Sequence, residues 1–267
     1  MARRGAKSTV EALTRLRRSR KVADGIPRGL RVLDLVIVLL TLPFSLLLGV
    51  AIAIAVFIDS PGPVLYRAQR VGRGGRVFEM LKFRTMLRDA EGPPLSCADD
   101  ERYTPLGQRL ALSRLDELPQ IWNVLKGDMR LVGPRPEVVG FVAAYAGEYE
   151  RILSVPPGLT GPAQVEYAWE GEELAKAQAV DRARVYRESI QPYKLAIDLA
   201  YVKHHGVGGD LALLARTFVL PLHQIGVRLV EGMPGRSFAA RLAPAVGLTC
   251  LLFVFTAIYA LEAGAGA

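Results

Sequence analysis

Three groups of side chains in this sequence could do chemistry: the neighbouring carboxylates Asp116 and Glu117, the cations Lys82 and Arg84 in KFRTM, and Arg135 between two prolines in GPRP. An ionised carboxylate beside a metal-neutralised diphosphate can attack phosphorus, the chemistry of aspartyl phosphates. Magnesium would hold the diphosphate oxygens there, because it takes hard oxygen ligands. The plainer role for the pair is to cap a helix, and the carboxylates alone leave both roles open. The strand period of two puts Lys82 and Arg84 on one face with Phe83 opposite, which makes either a phosphate grip or a solvated face. A residue before proline is held extended, so the Arg135 guanidinium is presented at little entropic cost and can hold phosphate through two parallel N–H groups.

The elements that must position these groups are short. On a helix, adjacent Asp116 and Glu117 diverge by about 100° and cannot face one point as an i, i+4 pair would. Pro119 fits the first turn of a helix that Gly127 ends, with Ile121, Trp122 and Leu125 packed on the core. In a second register Ser113 caps and Asp116 completes a capping box. Upstream, Pro63 to Arg70 and Val77 to Arg84 read as a hairpin across Gly72 to Gly75, a glycine loop that is either a turn or a phosphate cradle. Asp89 to Pro105 reads as a long loop. Val138, Phe141, Val142, Tyr145 and Tyr149 follow helical spacing and form a core or membrane-facing stripe. Glu170 to Arg187 reads as a charged helix with a solvated face, and His204 and His205 as surface histidines.

Charge and hydropathy place this machinery at a membrane. Of the net charge of +8, all lies in residues 1–31, which hold ten Arg or Lys and two acids; the remainder holds 24 of each sign. This arm is expected to sit in the cytoplasm against an anionic membrane surface. No stacking aromatics accompany its basic residues, so no nucleic-acid partner is expected. Residues 35–58 are 24 uncharged residues between Asp34 and Asp59, long enough to cross a bilayer. Pro43 should kink that helix, with Thr41 or Ser45 satisfying the freed carbonyls. Arg67, Arg70, Arg73 and Arg76 make the downstream flank basic too, which favours a re-entrant helix returning to the face it entered from. Leu211 to Val219 is apolar enough to rest on the membrane interface. Two cysteines, Cys97 and Cys250, neither in a CxxC, indicate no disulfide framework or zinc site. The expected organisation is a basic arm (1–31), a re-entrant membrane helix (32–60), a small α+β catalytic domain (61–220) and an extension (221–267) with an apolar stretch at 242–261.

Three runs, GPVLYRAQRVGRGGRVFEMLKFRTM, LDELPQIWNVLKGDMRLVGPRP and PGLTGPAQV, resemble in order and spacing the bacterial sugar transferase family, the monotopic phosphoglycosyl transferases, over Arg28 to Thr217. The resemblance implies transfer of a phosphosugar from a UDP-sugar to a polyprenyl phosphate, usually undecaprenyl phosphate, with release of UMP on the cytoplasmic face of the inner membrane. It implies that Asp116 is the nucleophile that carries the phosphosugar and that Glu117 is its partner near Mg²⁺. Lys82, Arg84, Arg114 and Arg135 would contact phosphate, and Pro43 would break the membrane helix. Three features depart from the family: Ala111 stands where an arginine is common, leaving Arg109 or Arg114 to substitute; Leu42 replaces the serine often found before Pro43; and the 242–261 stretch has no counterpart in small members. The alternative reading is a catalytically silent membrane scaffold of the same fold. A homodimer joined through the C-terminal stretch stays open, as does the identity of the sugar.

Overall fold

The computed structural model describes residues 28–90, 92, 100–167, 170–177 and 181–217. The arm ahead of residue 28, both cysteines and the 242–261 stretch lie outside these residues. The chain divides into two units, Met1–Gly206 and Val207–Ala267; the second contributes a described helix over 207–217, which covers most of the expected interfacial stretch.

The first helix, α1 (Arg28–Asp59, 32 residues), contains Pro43. From Gly29 to Asp59 it is, by length and composition, long and apolar enough to cross a membrane. Proline offers no N–H to the Leu39 carbonyl. The Thr41 hydroxyl donates instead to Ile37 (2.9 Å) and Val38 (3.2 Å), the carbonyls just before it. Leu30, Asp34 and Val38 are buried near one end of α1 and Ile52 and Val56 near the other, while Leu40, Phe44, Leu47 and Ile58 are exposed. Positions four apart share a helix face, so one stripe of α1 packs on the domain and a broad apolar face stands away from it.

The hairpin follows as expected. Strands β1 (Leu65–Val71) and β2 (Val77–Phe83) pair antiparallel, with Leu65 opposite Phe83 and Val71 opposite Val77. Gly74 (φ 64°) and Gly75 (φ 72°) supply left-handed conformations that the turn requires. The loop is a docked turn rather than a phosphate cradle: the Gly74 N–H donates to the Leu153 carbonyl (2.8 Å) and Arg73 Nε to the Ser154 carbonyl (3.2 Å).

The expected loop ends at Thr104, whose hydroxyl accepts from the Gly107 N–H and caps α2 (Pro105–Ser113). A Cβ on Gly107 would lie 1.9 Å from the Thr85 carbonyl oxygen, so a side chain there would force α2 off the end of the hairpin. Ser113 closes α2, donating to Arg109 (2.9 Å) and Leu110 (3.2 Å), which overturns the register in which it caps the next helix. A 3-10 turn, Leu115–Glu117, leads to α3 (Gln120–Lys126), ended by Gly127 at φ 86°. The buried face of α3 is Gln120, Asn123 and Val124, not the expected Ile121, Trp122 and Leu125; Trp122 is 58% exposed. Asn123 sets this rotation by bonding the β2 backbone twice, from Nδ2 to the Glu79 carbonyl (2.7 Å) and from the Leu81 N–H to Oδ1 (3.0 Å).

Strand β3 (Arg130–Val132), helices α4 (Val139–Ala144) and α5 (Ala146–Ile152), and strand β4 (Gly158–Thr160) come next, with β3 and β4 parallel. The expected stripe is core: Val142 and Tyr149 pack with Val71 and Leu195, and Phe141 stacks at 4.8 Å on Tyr186. After α6 (Pro162–Glu166), the segment read as one charged helix is three pieces: α7 (Glu170–Ala175), α8 (Arg182–Val185) and a π-helical turn, Tyr186–Ile190. Glu173, Lys176, Arg184 and Arg187 are exposed as expected, but the segment also has a buried side. Leu174 and Tyr186 are buried, and Glu170 turns in to pair with Lys194 of α9 (Gln191–His204) at 2.8 Å.

Candidate active site

Asp116 and Glu117 are delivered by a left-handed residue. Arg114 (φ 60°) ends α2 and begins the 3-10 turn, and it is the only non-glycine residue at positive φ among the described residues. Such a conformation costs about 1 kcal/mol for a side chain that is not glycine. The reversal carries the chain directly from α2 into the carboxylates, both 6% exposed.

The adjacent carboxylates converge after all, contrary to the expectation that they would diverge. Lys82 reaches up from β2 and places Nζ 2.8 Å from Glu117 Oε1 and 3.5 Å from Asp116 Oδ2. One flexible ammonium arm between two neighbouring stems achieves what the stems alone could not. Arg135 Nη2 donates to the same Glu117 oxygen at 2.8 Å, and Arg114 Nη1 stands 3.8 Å from it. Of the two arginines that could substitute at Ala111, Arg114 stands beside the carboxylates, whereas Arg109 is exposed on α2. Arg84 lies apart from the carboxylates, with Nη2 donating to the Ser60 carbonyl.

The two carboxylates are electrostatically unequal. Burial opposes ionisation of Glu117, but Arg135, Lys82 and Arg114 outweigh it and hold its carboxyl well below the usual range. Asp116 is pushed up, by burial first and also by the Glu117 charge, with Lys82 pulling the other way. Its Oδ1 is buried without a hydrogen-bond partner among the described residues. Glu117 thus holds the cations in place, and Asp116 keeps an oxygen available.

Four further contacts carry this arrangement, and none was legible in the motifs. Asn123 fixes α3 to β2 and so fixes the turn against Lys82. Arg31, read as part of a lipid-facing arm, instead donates to the carbonyls of Val124 (2.7 Å) and Leu125 (3.1 Å) at the end of α3. Asp34 pairs with Arg130 of β3 at 2.8 Å, both side chains 4% exposed. Gly158 brings β4 against the GPRP loop: a Cβ there would lie 2.1 Å from the Gly133 nitrogen.

The acid pair thus lies inside a cage of lysine and arginines, in a chain whose first helix is long and apolar enough to cross a bilayer. The bacterial sugar transferase family model matches residues 28–224, and the chain belongs to that family. Three relatives illustrate the similarity. A UDP-glucose:undecaprenyl-phosphate glucose-1-phosphate transferase of Caulobacter vibrioides is 39% identical over 193 residues, 70% of this chain and 67% of its own length. A UDP-N-acetylgalactosamine-undecaprenyl-phosphate N-acetylgalactosaminephosphotransferase of Aeromonas hydrophila is 35% identical over 76% of this chain and 45% of its own length. An Escherichia coli UDP-glucose:undecaprenyl-phosphate glucose-1-phosphate transferase is 36% identical over 62% of this chain and 37% of its own length. The chain thus spans less than half the length of two of the three.

Proposed function

We propose that this chain transfers a sugar 1-phosphate from a UDP-sugar to a polyprenyl phosphate through a covalent phosphosugar on Asp116. The observation that carries the reading is the division of labour in the pair: Glu117 is occupied by Lys82 and Arg135, whereas Asp116 Oδ1 is buried and unpartnered. In the first step an Asp116 oxygen bonds to the sugar-bearing phosphorus, and the phosphoanhydride bond breaks to release UMP. In the second, an oxygen of the acceptor phosphate bonds to that phosphorus and the electron pair returns to Asp116. Lys82, Arg114 and Arg135 surround the carboxylates and would bear the charge of the diphosphate.

Magnesium fits this donor set. Among the described residues no group of three or more metal-ligating side chains occurs, but Mg²⁺ characteristically takes one or two carboxylates and completes its shell with substrate phosphate and water. Asp116, with its spare oxygen, and Glu117 would hold it, and the ion would supply neutralisation of the diphosphate charge.

Purified protein in lipid nanodiscs, given radiolabelled UDP-sugars and polyprenyl phosphate, is expected to release UMP, and Asp116→Asn to abolish release. Near-normal turnover by that variant would overturn the nucleophile assignment. A parent protein that releases no UMP across a panel of UDP-sugars would return the silent scaffold.

A further inference from the structure

Two buried polar atoms four residues apart have no hydrogen-bond partner among the described residues: Asp116 Oδ1, an acceptor, and Gln120 Nε2, a donor. Asp116 is 6% exposed and Gln120 1%. The neighbouring polar side chains are committed elsewhere. Asn123 spends its amide on the β2 backbone, and Glu117 accepts from Lys82 and Arg135.

The backbone carries this pair along one helical path. Between the 3-10 turn and α3, Leu118 (φ −52°, ψ −38°) and Pro119 (φ −62°, ψ −15°) hold helical dihedrals. The Ile121 and Trp122 N–H groups donate to the Leu118 (3.2 Å) and Pro119 (3.0 Å) carbonyls, so the path is not interrupted. Helical side chains four apart have Cβ atoms about 5–6 Å from one another, and glutamine and aspartate at that spacing hydrogen-bond. Because helical side chains lean toward the N-terminus, Gln120 leans back toward the turn that carries Asp116. A buried donor or acceptor left alone bears the cost of its lost hydration, and one rotamer step of the long Gln120 side chain satisfies both atoms together.

Resting on the covalent reading above, we propose that Gln120 is a positioning residue for Asp116: its amide donates to Oδ1 and leaves Oδ2, 3.5 Å from Lys82, as the oxygen that bonds phosphorus. In the first step Oδ2 bonds to phosphorus and the phosphoanhydride electron pair leaves with UMP, so Oδ1 becomes the carbonyl oxygen of an acyl phosphate. In the second the acceptor oxygen bonds to phosphorus, the phosphorus–Oδ2 bond breaks, and its electron pair returns to the carboxylate. A hydrogen bond to a carboxylate is stronger than one to a neutral carbonyl. Gln120 therefore favours departure of the carboxylate in the second step and draws the first step back toward free enzyme. Each carboxylate oxygen has two acceptor positions, so this contact leaves Asp116 able to hold the metal ion as well.

The two half-reactions separate this role from a structural one. In nanodiscs, parent protein, Gln120→Met and Gln120→Asn are given UDP-sugar radiolabelled in the sugar, without acceptor, and covalent label is counted. UMP is titrated into one portion to strip the label, and polyprenyl phosphate is added to another to follow its transfer. Gln120→Met keeps the length and loses the donor. Its label is expected to reach at least the parent's level, and the UMP that strips half of it to rise about fivefold. Transfer to acceptor should slow about tenfold, with half-saturation by polyprenyl phosphate within about twofold of the parent, the worth of one hydrogen bond to a charged group. Damage to the shape of the site would lower the label, which is the opposite sign. Gln120→Asn keeps the amide but withdraws it by one methylene, and should slow transfer by less. Parent-like transfer in Gln120→Met, or label that falls together with transfer, would overturn the assignment. Should Gln120→Met not fold, parent-like transfer in Gln120→Asn overturns it instead. Thermal melts of Gln120→Met, Asp116→Leu and the double variant test the contact without turnover: coupling supports it and strict additivity overturns it. If the parent takes no label, the covalent reading fails, and the melts alone then decide whether Gln120 holds Asp116.

Discussion

At the scale of single residues, Glu117 is the hinge on which the site's charge balance turns. It accepts from Lys82 and Arg135 through one oxygen, with side chains 18% and 21% exposed around an 8% exposed carboxylate. Removing one member of such a cluster leaves the others desolvated and unpaired, which costs more than the pair itself is worth. Glu117→Ala is therefore expected to destabilise the protein by about 2–3 kcal/mol, less than a fully buried pair because the cations retain some water. Arg135→Met in the same chain should recover part of that loss, since it removes a stranded cation. Thermal melts of the parent, both single variants and the double variant would measure this coupling; strict additivity would show that Glu117 and Arg135 do not stabilise one another. The same cluster leaves Asp116 Oδ1 buried without a hydrogen-bond partner among the described residues.

At the scale of elements, α1 is the part whose placement the cage depends on. Its 32 residues make a rod about 48 Å long, against a hydrocarbon core of about 30 Å. Both of its ends dock on the same domain. Near the start, Arg31 caps α3 and Asp34 pairs with Arg130; near the finish, Ile52 and Val56 pack with Phe83 and Leu110, and the Ser60 carbonyl receives Arg84. A helix crossing the bilayer would carry one end away from a domain held on one face. Re-entry therefore stays a proposal, with Pro43, inside a helix that runs unbroken from Arg28 to Asp59, as the place where it would yield. In a chain with Cys97 and Cys250 replaced, Asp59→Cys is expected to react with a membrane-impermeant maleimide in inside-out vesicles and not in intact cells. Asp59 is chosen because it is exposed, and labelling from outside intact cells would establish a span.

For the whole molecule, legibility followed how local the physics is. The hairpin, the stripe from Val138 to Tyr149 and the stiffened Arg135 could be read because turn chemistry and periodicity act over a few residues. The rotation of α3, the Asp34–Arg130 pair and the inward turn of Glu170 could not, because each is decided by a partner more than twenty residues away. Long-range pairing also created a buried charged cluster that no motif announced. Lys194 Nζ lies 2.8 Å from Glu170 and 3.7 Å from Glu137, Tyr186 donates to Glu137 at 2.5 Å, and Asp198 sits one turn along α9 with Oδ1 unpartnered among the described residues. Burial pushes Asp198 from 3.8 up to about 7, with Lys194 pulling it down and Glu137 pushing it up. The sign of its effect on stability follows from linkage. Below about pH 4 the carboxyl is protonated in both folded and unfolded chains and adds no penalty; as pH rises, the unfolded chain ionises first and the fold is increasingly disfavoured until pH passes about 7. A rise of that size bounds the penalty at about 4 kcal/mol. Asp198→Asn keeps the shape, removes the titration and leaves Lys194 with two carboxylates. It should raise the melting temperature at pH 8, by an amount corresponding to about 2–4 kcal/mol, and leave it unchanged near pH 4. Equal melting of variant and parent at both pH values would show that Asp198 is not held neutral in the fold.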